Sequence, residues 1–234
     1  MFLYKINNLT KTYGEKEAKV VALNDINLEI PSGKFIVILG ASGSGKSTLL
    51  NIMGGMDKPT SGEVFFNDQS ISKYNKGELT KYRKSNIGFV FQSYNLLPDL
   101  TALENVEFST EIAKLPRIKA EEALGLVGLD KRQRHYPSEM SGGEQQRVSI
   151  ARTLAKNPKV LLCDEPTGAL DYKTGIKVLE LLHNVHEDGL TSVIVITHNQ
   201  DIAKIADMVI KMRSGEIIDI NENKKPLKPS EVKW

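Results

Sequence analysis

The run Gly40-Ala-Ser-Gly-Ser-Gly-Lys-Ser47 constrains this chain more than any other feature. It follows five apolar residues, Phe35–Leu39, and precedes a helical pattern over 46–54, so it joins a buried strand to a helix. Glycines at 40, 43 and 45 let the backbone curl with several N–H groups pointing inward, a concave nest for an anion. The open N–H groups and positive dipole end of the following helix strengthen the same field. Lys46 adds a cation suited to outer phosphates, and the hydroxyl of Ser47 is of the kind Mg²⁺ takes, with Thr48 a further hydroxyl. Ala41, Ser42 and Ser44 complete the loop. By chance the four fixed positions recur in about 1 % of chains of this length, and the flanking strand and helix lower that figure. An idle glycine-rich turn is therefore a poor account of the motif.

The rest of the chain fits an α/β fold around that loop. Val160–Cys163 and Val193–Ile196 are apolar throughout, as in parallel strands covered on both faces. Residues 2–9, 20–30 and 62–66 alternate apolar and polar side chains, which predicts half-exposed antiparallel strands. Ile87–Phe91 and Met208–Met212 are further candidate strands. Helices are predicted over 46–54, 101–114, 119–127, 144–156, 173–187 and 200–206. The expected organisation is a single domain over 1–234. A mixed-sheet core spans 1–92 and 159–220, with a small antiparallel β-subdomain, and a helical subdomain is inserted at 93–158. The basic tail 221–234 is expected to be solvated and loosely ordered.

Composition narrows the setting. The 31 basic and 29 acidic residues leave +2, too little to argue for nucleic acid. Cys163 is the single cysteine, so no internal disulfide forms and a reducing cytosol is expected. No apolar run approaches the roughly 20 residues of a spanning helix, and Met1–Lys11 has no secretory pattern. Any work at a membrane would need a partner to hold the chain there.

Two more segments carry chemistry. Lys159–Cys163 ends in Asp164-Glu165-Pro166, a strand terminus with paired carboxylates. In enzymes with a P-loop, the strand–nest–helix arrangement described above, such an aspartate completes the Mg²⁺ sphere, which assigns Asp164. Glu165, one residue on, suits a group that polarises water. Ser141-Gly142-Gly143-Glu144 precedes a strong helix and makes a second anion-binding N-terminus, although an ordinary capped helix has the same pattern.

Met140-Ser-Gly-Gly-Glu-Gln-Gln-Arg-Val, lying between the P-loop and the Asp-Glu strand, resembles the signature motif of ABC (ATP-binding cassette) ATPases. The resemblance covers essentially the whole chain. It implies the P-loop NTPase fold, ATP and Mg²⁺ as ligands, and a head-to-tail dimer of two identical copies. In that dimer the loop of one copy and Ser141–Gly143, with Glu144, of the other close on one ATP. By the same resemblance Tyr13 stacks on adenine, and Gln92 senses Mg²⁺ and the attacking water. Asp171 communicates across the dimer, and His198 contacts the γ-phosphate. His135, His183 and His186 match nothing and are read as surface residues.

Gly88–Pro98 and Leu100–Val106 are similar to the branch containing macrolide exporters, lipoprotein-releasing complexes and antimicrobial-peptide resistance transporters. That likeness implies an integral membrane permease with an extracytoplasmic domain as partner, and a place at the cytoplasmic face of the membrane. Tyr94, Leu96, Leu97 and Leu100 either receive the permease or pack the helical subdomain. Regulation of an external enzyme remains the alternative to export. A cassette acting on DNA or ribosomes fits less well, for want of coiled-coil insertions or a second cassette. Three departures stand out: Met140 where leucine is commoner, Asn199 where aspartate is usual after His198, and a short Lys114–Leu129 stretch.

Overall fold

A computed structural model describes residues 2–15, 18–187 and 189–233; Met1, Lys16, Glu17, Asp188 and the tail's Trp234 lie outside the described residues. The alternating segments form an antiparallel sheet from β1 (Phe2–Tyr13), β2 (Val20–Pro31), β4 (Ser61–Phe66) and β5 (Gln69–Ser70), ordered β2-β1-β4-β5. A second sheet contains β3 (Phe35–Leu39), β6 (Ile87–Phe91), β7 (Val160–Asp164), β8 (Ser192–Thr197), β9 (Met208–Arg213) and β10 (Glu216–Glu222), in the order β10-β9-β3-β8-β7-β6. All its pairs are parallel except β9–β10, so the expected mixed sheet is present. Every residue of β3 and of β8 is buried, which is why neither strand alternates in sequence.

The register of this sheet places the chemistry. Leu39, the last residue of β3, pairs with Thr197, and Asp164 at the end of β7 pairs with Ile196. Phe91 at the end of β6 pairs with Asp164. Parallel strands so aligned bring the segments starting at Gly40, Gln92, Glu165 and His198 to one sheet edge, where ligands of open α/β sheets bind. Helix α1 (Lys46–Met53) leaves that edge, buries Leu49, Leu50, Ile52 and Met53, and seals one sheet face.

The helical insertion is α3 (Ala102–Ala113), α4 (Ile118–Leu126) and α5 (Gly142–Leu154), with α6 (Tyr172–Glu187) returning to the core. Thr101 caps α3 through reciprocal bonds with Glu104. The buried Asn105 amide pins the preceding loop to the same helix, bonding Leu97, Leu100 and Thr101 through four contacts of 2.8–3.1 Å. Lys114 ends α3 in a left-handed conformation just before Pro116, and Met140 lies in the core as a leucine would.

Four expectations need correcting. Lys76–Asn86 is a helix, α2, missed because its exposed run is polar and only Leu79 and Tyr82 are buried; the Asn75–Glu78 capping box was its sequence signal. The predicted helix 200–206 is a 3-10 turn over Ile202–Ile205. The tail is not loose: Val232 is fully buried, a 3-10 turn spans Pro229–Glu231, and the Tyr172 hydroxyl donates to the Val232 carbonyl at 2.8 Å. Nor are the histidines surface groups alike. His183 and His186 are mostly covered and pack around Phe35, and His186 Nε2 lies 3.2 Å from Asp207.

Burial pushes the His186 imidazole below its ordinary value, more than the Asp207 charge raises it. A depressed folded-state pKa means stability is intact above the unfolded value, ~6.5, and is lost as pH falls below it. Urea midpoints are therefore expected to drop between pH 7.5 and 5.5. In His186→Gln that drop is expected to be smaller than in the parent chain.

Candidate active site

The loop between β3 and α1 has the geometry its glycines require. Gly45, the residue before α1, has φ +97°, and a Cβ there would stand 2.5 Å from the Ala22 carbonyl oxygen. No side chain fits that position. Lys46 is 7 % exposed, and its Nζ donates to the carbonyls of Gly40 and Ala41 at 2.7 and 2.9 Å. A nearly buried ammonium bonded to two carbonyl oxygens, rather than held tightly by a carboxylate, retains attraction for an incoming anion. The Ser44 hydroxyl is buried in the same loop with no hydrogen-bond partner among the described residues.

Opposite the loop, Asp164 faces the Ser47 hydroxyl across the same cleft. Burial raises its carboxyl above the ordinary value, opposed by the nearby Ser47 hydroxyl; the neighbouring Glu165 charge raises it further and Lys46 lowers it. Among the described residues no three His, Cys, Asp or Glu side chains form a metal cage. One carboxylate and one hydroxyl facing an anion nest is instead the sparse set that Mg²⁺ uses beside phosphates.

Glu165 holds φ at +47°, a left-handed conformation that costs a non-glycine residue about 1 kcal/mol or more. Its backbone N–H donates to Ile196 O at 3.0 Å, and its carbonyl accepts from Gly168 N at 3.0 Å. The side chain is fastened to the end of β8. Oε2 accepts from Thr197 Oγ1 at 3.0 Å, and Oε1 accepts from His198 N at 3.1 Å and lies 2.8 Å from His198 Nδ1. His198 itself is largely exposed, its side chain 70 % accessible.

One cleft of about 1090 Å³ collects Ala41, Ser42, Gly43, Ser44, Gly45, Lys46, Ser47 and Thr48 with Tyr13, Gln92, Asp164, Glu165 and His198. Tyr13 presents an exposed ring whose hydroxyl donates to Asp57 at 2.7 Å, with Lys11 Nζ 4.7 Å from the ring centroid. Gln92 reaches across to Gly168, where a Cβ would come within 3.0 Å of its Nε2. Gly40 does not line this cleft. Ser141, Gly142, Gly143, Glu144 and Asp171 do not line the cleft either. Ser141 caps α5, and the Glu144 carboxylate is taken up by Ser141 and by Arg132 at 2.9 Å. Asp171 caps α6 by accepting from Thr174 N and Oγ1.

Residues 23–168 match the sequence model of the family described as ABC transporter. The chain belongs to that family. It is 46 % identical to the lipoprotein-releasing system ATP-binding protein of Geobacter metallireducens, over 92 % of this chain and 98 % of that one. It is 44 % identical to a macrolide export ATP-binding/permease protein of Vibrio parahaemolyticus, matching 92 % of this chain but 34 % of that longer protein. Among solved structures, a dimeric ATP-binding cassette in a post-hydrolysis state, bound to ADP and phosphate, superposes with a TM-score of 0.88 at 43 % identity, covering 95 % of this chain and 99 % of that one. This ABC cassette is an ATPase, the ATP-binding subunit of a transporter. The α/β fold, with a mixed sheet and an antiparallel sheet, agrees with that of its structural neighbours.

Several cleft residues escaped the sequence reading. Val20, Val21 and Ala22 on β2 line the cassette's cleft with no motif to mark them, and Phe91 at the end of β6, with Ser93 and Asn95 after it, were read only as part of the Gly88–Pro98 resemblance. Thr197 was legible only as the neighbour of His198. Gln146, buried on α5, donates to Pro166 O at 2.8 Å and Phe91 O at 3.3 Å, tying the signature helix to both the Glu165 and Gln92 segments. Asn199 Oδ1 accepts from Asp201 N at 2.9 Å, a bond an aspartate makes equally well, so the departure leaves this turn in place.

Proposed function

We propose that this ATPase works as a dimer of identical copies, each ATP held between the Lys46 loop of one copy and Ser141–Gly143 of the other, and that closure drives a membrane permease. The observation that carries this reading is the division of the site. The groups suited to phosphate, metal and water share one cleft, while the second anion-binding helix end lies outside it in the same chain. A solved relative's dimeric state bound to ADP and phosphate supports it.

Within the cleft the roles follow from chemistry. The Lys46 loop binds the β- and γ-phosphates, and Tyr13 offers its ring to adenine. Asp164, Ser47 and Gln92 would hold Mg²⁺, which when bound supplies positive charge to the phosphate oxygens. Glu165 orients and polarises the attacking water, and His198 faces the γ-phosphate. Partner residues are supplied by the signature segment, with Glu144 holding Ser141 in its capped geometry and Asp171 at the facing surface.

The names of the relatives support an export or extraction role at the cytoplasmic face of the membrane, peripheral through the permease. No helix among the described residues is long and apolar enough to cross a membrane. The receiving surface is a mostly apolar hollow lined by Phe89, Phe91, Phe108 and Ile112, with Arg152 and Lys156 also on its wall. Arg152 also donates to the carbonyls of Tyr94 and Asn95 at 3.1 and 2.6 Å, linking this hollow to the loop after Gln92. Of the four apolar candidates in that loop, Leu96 packs on the core and Leu97 is exposed. Co-expression with a four-helix permease encoded beside this chain is expected to give a stable complex whose ATPase activity is lost in Phe108→Asp. A complex that moves no peptide, lipid or drug yet alters an external enzyme would favour the regulatory reading. Failure of every such permease to bind would overturn the transport role.

A further inference from the structure

The Glu165 carboxylate is held by two consecutive residues with different freedom. His198 meets Oε1 with its backbone N–H and its ring, but the ring is on an exposed side chain. Thr197 meets Oε2 from a side chain that is 1 % exposed and sits at the end of a strand buried along its length. The direction of the threonine bond is also settled. Thr197 Oγ1 accepts from the Asn199 backbone N–H at 3.1 Å, so its own hydrogen is left to point at Glu165. A β-branched residue has few χ1 choices, and two bonds of opposite sense select one of them.

We infer that Thr197 is a positioning residue for hydrolysis: it fixes Glu165 Oε2 throughout, so that Oε1 remains aimed at the water when the His198 ring turns to the γ-phosphate. This rests on the reading of Glu165 as the group that activates water. The need for such an anchor is visible in the backbone. Glu165 occupies the left-handed region, which a side chain not held in place would tend to leave. Without the hydroxyl, the contacts left to the carboxylate among the described residues are those to His198, and its ring contact competes with the ring's proposed work on phosphate. Nucleotide binding would not suffer, because Thr197 does not line the cleft.

The test uses Thr197→Val, which keeps shape and branching but removes the hydroxyl, beside Thr197→Ser, which keeps the hydroxyl. Thr197→Val is expected to lower kcat about 10-fold or more with KM for ATP within about 2-fold, whereas Thr197→Ser retains most of the activity. In a Glu165→Gln background Thr197→Val is expected to change residual turnover by less than about 2-fold, because both substitutions act through one carboxylate. Equal kcat loss in the valine and serine variants, or a full additional loss in the Glu165→Gln background, would overturn the inference. A Glu165→Gln chain that still turned over normally would instead overturn the role of Glu165 itself. Thermal melts of both Thr197 variants separate these outcomes from misfolding; a valine variant that melts with the parent yet keeps full kcat also overturns it.

Discussion

Glu165→Gln is expected to lower ATP turnover by about 100- to 10,000-fold, the range typical of general base assistance, while ATP affinity stays within a few-fold. The substitution is isosteric: the amide oxygen keeps the His198 N–H bond, the amide NH₂ donates to Thr197 Oγ1 in place of the bond it received, and the left-handed backbone is undisturbed. What disappears is the negative charge that draws a proton from water. Hydrolysis then fails after binding. Size-exclusion chromatography with Mg²⁺ and ATP is expected to show a dimer with the variant and a weaker or transient one with the parent chain. Phosphate-release assays read the first effect. Turnover reduced less than 10-fold would remove Glu165 from its proposed place.

Lys46→Ala is expected to act earlier, at binding. The ammonium is nearly buried and held by two carbonyl oxygens that cannot neutralise it, so a triphosphate is its natural counterion. Truncating one member of such a desolvated charge pair costs about 2–5 kcal/mol, which is an affinity loss of roughly 30- to 5,000-fold. Calorimetry on the apo chain measures it. The fold is expected to survive, since the side chain's hydrogen bonds among the described residues stay within its own loop and the apolar face of α1 is untouched. The two variants therefore separate: one binds and does not hydrolyse, the other does not bind.

Much of this site was legible because its signals are local. Gly40 to Ser47, Asp164-Glu165 and His198 each end an apolar strand, and parallel pairing of those strands assembles the cleft. The order β3-β8-β7-β6 could not be read from any one segment, yet it alone puts Gln92 beside the Glu165 loop. Helix α2 was hidden because a helix burying two side chains leaves almost no apolar period. Strand β10 was hidden because it is a charged edge, and only the Ser214-Gly215 pair, both with positive φ, betrays the tight turn before it. The tail's basic composition pointed to solvent, but two buried residues, Pro229 and Val232, decide where it lies. Thr197 and Gln146 act through hydrogen bonds to residues 32 and 20 positions away, a range at which periodicity carries no information.

Nucleotide shared between two copies is the claim on which every assigned role depends. A structure of the Glu165→Gln protein with Mg²⁺ and ATP measures this directly. The expected result is triphosphate in the Lys46 loop of each copy with Ser141–Gly143 of the second copy closed against it. Triphosphate ordered in the cleft, with no signature segment from a second copy against it, would contradict that claim.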